Sequence, residues 1–174
     1  MMKKDLFKDM FLSVIEAAQA KYKFELCHHV IMHNHIHLMI KTLEGEAQIS
    51  RIMQYIKARF AERFNKFTGR IGPFWNERYK SKIIEDSSDP VLYFNYLLWY
   101  FAYNPVIKKI SGSARGYTYS SIKAYLDEKY ISPVQITLHE FYYKLGNTFE
   151  ERMKKLLIHE EAFLKRRSWL YDWA

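Results

Sequence analysis

The sequence predicts an α+β fold. Two stretches repeat their apolar residues every 3.6 positions, the span between them alternates as strands do, and the breaks are short enough for antiparallel neighbours. The first helical stretch runs from about Asp5 to Lys21, with Leu6, Phe7, Met10, Phe11, Val14, Ile15 and Ala18 on one face. Phe24–Met32 and His35–Lys41 follow as β-like runs, and His33-Asn34 between them reads as the tight turn of an antiparallel hairpin. Gly45 breaks the chain before a longer helix, about Gln48 to Phe67, whose buried stripe is Ile49, Ile52, Met53, Ile56, Phe60 and Phe64. Gly69-Arg70-Ile71-Gly72-Pro73 is turn chemistry, and the alternation at the start of Arg78–Glu85 predicts a further strand. Asp89-Pro90 marks a helix start, with Asp at the N-cap and Pro at the first helical position. That helix is expected to run from Val91 to about Tyr103 and to close at Asn104-Pro105. A loop flanked by Gly112 and Gly116 leads through Tyr117-Thr118-Tyr119-Ser120-Ser121 to a short helix ending near Tyr130. Two more helical patterns lie near Thr137–Leu145 and Phe149–Arg167, and the chain shows no internal repeat.

A chain of 174 residues is one domain, or one domain with an appendage. Hydrophobic content of 49%, with 17% aromatic, excludes a disordered chain. The lone Cys27 excludes a disulfide framework and a cysteine-based zinc site, and a reducing, cytoplasmic setting is the simplest expectation. No apolar run reaches membrane-spanning length, and Lys8, Asp9 and Glu16 break any signal-peptide core near the start. The charge is lopsided: 27 Lys and Arg against 19 Asp and Glu give +8, a balance that suits a polyanion such as DNA or RNA.

Three patterns carry chemistry. In His35-Ile36-His37 the two imidazoles project from one face of a strand, because residues two apart point the same way. They begin a divalent-metal site that still needs a third ligand. Further on, Tyr96, Tyr100 and Asn104 fall at i, i+4 and i+8 of the helix after Asp89-Pro90. A tyrosine hydroxyl can attack phosphorus if a cation lowers the cost of its phenolate, and an asparagine one turn away can offer that cation a neutral oxygen. Two imidazoles and one amide oxygen suit Mg²⁺ or Mn²⁺ holding a phosphate oxygen; in a chain with fourteen tyrosines, spacing alone favours reading Tyr100 as a core residue. The third pattern is Arg59, Arg63, Lys66 and Arg70, a basic stripe at i, i+4, i+7 and i+11, which is either a solvated helix face or a ridge that touches phosphates.

The hairpin MHNHIHLMIKT, the segment GRIGPFWNERYKSKII, the run YFAYNPV and the later YTYSSIKAY occur in that order. Together, over about residues 5 to 126, they resemble the HUH single-tyrosine transposases, and most of all the REP-associated tyrosine transposases. The resemblance implies a ferredoxin-like (RRM-like) palm over residues 1–126 and leaves 127–174 unmatched, a helical extension by its own patterns. It places His35 and His37 on the paired metal ligands, Tyr100 on the nucleophile and Asn104 on the third ligand, with Mg²⁺ or Mn²⁺ as cofactor. The implied partner is single-stranded DNA folded into an imperfect hairpin, cut and rejoined through a 5′-phosphotyrosine by a monomer or homodimer. On this reading Arg59, Arg63, Lys66 and Arg70, with Arg78, Lys80 and Lys82, seat the DNA backbone. Trp75 and Tyr79 either stack on unpaired bases or wedge the sheet against the helices.

The chain departs from the family pattern in four places. The strand that precedes the first helix in family members is not visible here, so one edge of the palm is expected to be missing or supplied from elsewhere. His33 stands at a turn position usually filled by Pro, Asn104 precedes Pro105, and Tyr119 stands where Trp is commoner. His28 and His29 are expected to be structural, or to orient a ligand from behind. The Lys165-Arg166-Arg167 cluster with Trp169, Tyr171 and Trp173 is expected to dock on the palm rather than touch DNA. Two other functions fit parts of the pattern: an RRM-like module that binds hairpins without cutting, and a metal-dependent nuclease that uses water.

Overall fold

Helix α1 spans Asp5–Lys21 and ends where Tyr22 turns to extended backbone. It leads directly into the antiparallel hairpin of β1 (Phe24–Ile31) and β2 (Ile36–Thr42). Helices α2 (Ile49–Thr68), α3 (Pro90–Ile107), α4 (Lys123–Leu126), α5 (Glu140–Tyr143) and α6 (Phe149–Tyr171) complete the order. This computed structural model describes residues 4–171, and the side chains of 167–171 lie outside that description. The expectations for Arg167, Trp169, Tyr171 and Trp173 therefore fall outside the described residues. No helix among them is long and apolar enough to cross a membrane.

The hairpin is the middle of three layers. Alternation along β2 sends Ile36, Leu38 and Ile40 toward the core shared by α1 and α2, where Phe11, Ile15, Ile52, Ile56 and Phe60 are buried. Met39, on the opposite face, joins Phe94, Leu98 and Ala102 of α3. α2 ends on Gly69, whose left-handed φ of 67° lets its N–H reach the Asn65 carbonyl. On its other edge β1 meets not a full strand but a short stretch of loop. Ile31 N–H donates to the Tyr119 carbonyl at 2.9 Å, and Ser121 N–H donates to the His29 carbonyl at 3.0 Å.

The α+β class is as expected, but the sheet has two strands among the described residues, not the four of a ferredoxin-like palm. The strand expected at Arg78–Glu85 does not form. Phe74 and Trp75 are anchored against α2, Ile84 packs on the α3 side, and residues 76–83 cross between these layers in full exposure without a ladder of backbone hydrogen bonds. Alternation makes a strand only when an edge receives it. Helix α3 also outruns its expected end: Pro105 lies inside it and the helix continues to Ile107. Pro105 cannot donate to the carbonyl one turn back, but the Asn104 side chain donates from Nδ2 to the Tyr100 carbonyl at 2.6 Å and ties that turn. The pattern near Thr137–Leu145 shrinks to the single turn of α5.

Helix α6 packs along the outer side of α3. Trp99, fully buried, donates from Nε1 to the Leu156 carbonyl at 3.1 Å, and the Phe163 ring lies between those of Tyr96 and Tyr103, 5.6 Å from each centroid. Beside them the Tyr103 hydroxyl donates to Glu160 Oε1 at 2.7 Å and Arg115 pairs with Glu160 Oε2. Burial, and then this bond to a carboxylate, push the Tyr103 hydroxyl up to about 12. Glu160→Ala is expected to destabilise the protein by about 1–2 kcal/mol, below the usual loss for a buried pair because half of the Arg115 side chain is in water. Thermal unfolding of the variant checks this.

Candidate active site

Strand β2 and helix α3 bring the site together. The period of the strand puts His35 and His37 on the face that looks at α3, with ring centroids 6.4 Å apart and planes 30° from parallel. His35 is exposed and His37 half-buried. The His37 ring stacks on Phe101 at 4.6 Å and 24°, and meets the Tyr100 ring edge-on at 6.0 Å. Phe101 thus fixes the plane of the imidazole. Sequence reasoning missed Phe101, because one more phenylalanine in an aromatic helix carries no distinguishing mark.

His37 Nε2 is buried and has no hydrogen-bond partner among the described residues. Burial, and then the neighbouring His35, hold the imidazole down to about 4, so the ring is neutral and has a lone pair to give at neutral pH. An unpartnered buried nitrogen costs free energy that a bound cation would repay. This is the observation by which the residues fit a divalent metal. His28 and His29 sit behind, on β1. His28 Nδ1 lies 2.7 Å from Ser121 Oγ, and that oxygen also accepts from the His29 backbone N–H at 2.9 Å. Burial holds His29 down to about 4 and His28 well below its usual range.

Tyr100 is half-buried, and its hydroxyl has neither a hydrogen-bond partner nor full burial among the described residues. It differs in this from the structural tyrosines: Tyr117 bonds the Ile31 carbonyl, Tyr119 bonds Asp9, Tyr125 the Cys27 carbonyl and Tyr142 the Tyr125 carbonyl. Its ring is held by Tyr96, stacked at 6.1 Å and 12°. Asn104 is buried, and its amide nitrogen is committed to the Tyr100 carbonyl, which leaves Oδ1 as the side-chain atom that could accept a cation. His37 thus neighbours both His35 and Tyr100, and Asn104 is tied to Tyr100 through the backbone carbonyl of that residue. No group of three or more His, Cys, Asp or Glu among the described residues forms a metal cluster.

The basic residues lie elsewhere. Arg59, Arg63 and Lys66 are exposed on α2, in the layer across the sheet from α3, and Arg70 is exposed in the turn just past the helix end. Arg59 pairs with Glu62 at 2.8 Å, Arg63 donates to Ser13 Oγ at 2.8 Å, and Arg70 donates to the Pro73 carbonyl at 3.1 Å. Arg78, Lys80 and Lys82 stand exposed on the segment that crosses between layers. Trp75 is half-buried against Phe11, Phe60 and Phe74, and its Nε1 donates to the Lys57 carbonyl at 2.8 Å, an arrangement that wedges the layers.

No curated protein and no solved structure matches the chain. The family described as "Transposase IS200 like" matches residues 1–96. That span holds α1, the hairpin with His35 and His37, α2 and the first turns of α3, and it ends just ahead of Tyr100 and Asn104. More than half of the sequence lies within it, and the chain belongs to the IS200-like transposases, a family of DNA transposition enzymes with a single catalytic tyrosine.

Proposed function

We propose that this protein is a metal-dependent transesterase for single-stranded DNA that recognises a hairpin, most like the REP-associated members of its family, and that Tyr100 is its nucleophile. The observation that carries the reading is the buried, unpartnered Nε2 of His37 in a ring 6.0 Å from the ring of Tyr100. His37, His35 and the Oδ1 of Asn104 would hold Mg²⁺ or Mn²⁺, which supplies Lewis-acid polarisation of the scissile phosphate. Tyr100 Oη attacks phosphorus and its proton leaves to solvent. A bond forms between the tyrosine oxygen and phosphorus, the bond from phosphorus to the 3′ oxygen breaks, and that oxygen departs as a 3′-OH. The exchange of one ester for another needs neither ATP nor water. Phe101 keeps the His37 plane fixed while this occurs, and the stack of Tyr96 on Tyr100 limits the swing of the attacking ring. The α2 stripe, a layer away, would seat the hairpin stem, and Arg78, Lys80 and Lys82 the strand that leads to the site.

The test is incubation with a labelled, hairpin-bearing single strand and Mn²⁺. A protein–DNA adduct that resists SDS is expected, and EDTA should abolish it. Cleavage without an adduct would identify a nuclease that uses water, and tight binding with neither would identify a hairpin-binding module.

A further inference from the structure

His33 and Lys108 line one cavity of about 570 Å³ with Lys8, Lys109, Tyr117 and Tyr119. Its position follows from the two elements that build the candidate site. Along the hairpin, His37, His35 and His33 are steps of two residues. Along α3 and its end, Tyr100, Asn104 and Lys108 are steps of four. A two-residue step in a strand and a helical turn both advance about 6–7 Å. Such a step is comparable to the separation of consecutive phosphates in an extended single strand. β2 begins at Ile36, so His33 stands in the turn ahead of it, as Lys108 stands just past the end of α3, and these two residues share a cavity.

The lining has the chemistry of a nucleotide site. Lys8 is buried at 4% exposure, with its ammonium 2.8 Å from Asp5 Oδ1 and 4.5 Å from the centre of the Tyr119 ring. Lys108 and Lys109 are exposed, and neither has an ion-pair partner among the described residues. Three lysines thus face one carboxylate, that of Asp5, and the cavity favours an anion. The Tyr117 and Tyr119 hydroxyls are already bonded, to the Ile31 carbonyl and to Asp9, so these two buried rings form a fixed wall that carries the Lys8 ammonium. His33 Nδ1 is buried and unpartnered, which favours the tautomer with its proton on Nε2 and leaves that atom as the ring's donor.

Lysines at a helix C-terminus also offset the helix dipole, and for Lys108 that alone would suffice. Lys109 is different. Its φ of 54° makes it the one described non-glycine residue with left-handed backbone. The turn is closed by backbone bonds, Ile110 N–H to the Pro105 carbonyl at 2.8 Å and Lys109 N–H to the Val106 carbonyl at 2.9 Å, and would be served better by glycine. A lysine there costs about 1 kcal/mol of backbone strain, with no ion pair or side-chain hydrogen bond among the described residues to offset it. Strain of this kind gathers where ligands bind.

We propose that this cavity is a second phosphate subsite, which holds a DNA phosphodiester flanking the scissile one. The proposal rests on the reading of His35, His37 and Tyr100 as the cleavage site. Its test is chosen to be independent of cleavage: binding of a fluorescein-labelled, hairpin-bearing single-stranded oligodeoxynucleotide, in EDTA, by the full-length Tyr100→Phe protein. Adding Lys108→Gln and Lys109→Gln should weaken binding about 5-fold at ~0.1 M salt and make the slope of log K against log salt shallower by roughly 0.7, the value for one lost phosphate contact. Lys154→Gln with Lys155→Gln removes the same charge from the exposed side of α6 and should leave the slope unchanged. Replacing single linkages by neutral methylphosphonate should reveal one flanking position whose loss matters to the parent protein and not to the Lys108/Lys109 variant. Equal slopes for parent and variant, an equal loss in the α6 control, no such linkage or no binding at all would each overturn the proposal. An adduct formed by the wild type together with equal slopes would sink the subsite alone, whereas the expected slopes without an adduct would sink the cleavage reading.

Discussion

Tyr100→Phe is expected to reduce adduct formation and strand cleavage by at least about a thousandfold while leaving stability within about 0.5 kcal/mol of the parent. The two halves of that expectation have separate causes. A phenyl ring keeps every contact Tyr100 makes, the stack on Tyr96 and the edge against His37 among them, and the hydroxyl it removes holds no hydrogen bond. What is lost is the oxygen that would attack. Tyr96→Phe, one turn back on α3, should retain activity within a few-fold, since the Tyr96 ring lies against Tyr100 and Phe163 rather than against His37. Gel analysis of the adduct and urea unfolding of the same samples check both parts. A water-using nuclease would pass through Tyr100→Phe unharmed.

The protein should lose stability steeply as pH falls from about 6.5 to 4. Burial keeps His29 neutral down to about 4 in the folded chain, against 6.5 when unfolded. Between those values the unfolded state binds a proton that the folded state refuses, so stability is complete above about pH 6.5 and is lost as pH drops toward 4. His29 alone accounts for about 3 kcal/mol over that range. His28, buried beside Ser121 and held well below its usual range, acts with the same sign, as does His37. Against a total of roughly 5–15 kcal/mol for a domain, the His29 contribution alone is a large share of the stability to lose in mild acid. Urea unfolding at pH 7.5 and pH 5 should show the loss, and His29→Asn should flatten the profile. Equal stabilities at the two pH values would contradict the burial of these imidazoles.

Much of this molecule is legible in its sequence where local pattern and tertiary need agree. α1, the hairpin and α2 fall within a residue or two of their expected bounds, because each carries an unbroken apolar period that one layer of the core absorbs. Arg78–Glu85 shows the limit of such reasoning. Its alternation is real, yet pairing depends on a neighbour, and the chain is committed to crossing between Trp75 on one layer and Ile84 on the other. At Pro105 the breaker rule gave way to the Asn104 side-chain bond that stabilises the turn. In the site, the spacing of His35 and His37 gave their shared face, and that of Tyr100 and Asn104 their shared side of a helix. The clamp by Phe101 and the tie from Glu160 to Tyr103 and Arg115 were not legible, since the latter joins residues up to 57 positions apart.

The central claim is that one particular tyrosine carries the DNA. Digestion of the SDS-resistant adduct with nuclease and protease, followed by mass spectrometry of the peptides, tests it most directly. The account predicts a nucleotide linked through phosphate to Tyr100 and to no other tyrosine. A link at Tyr96 or elsewhere, or cleaved DNA with no nucleotide on the protein, would contradict it.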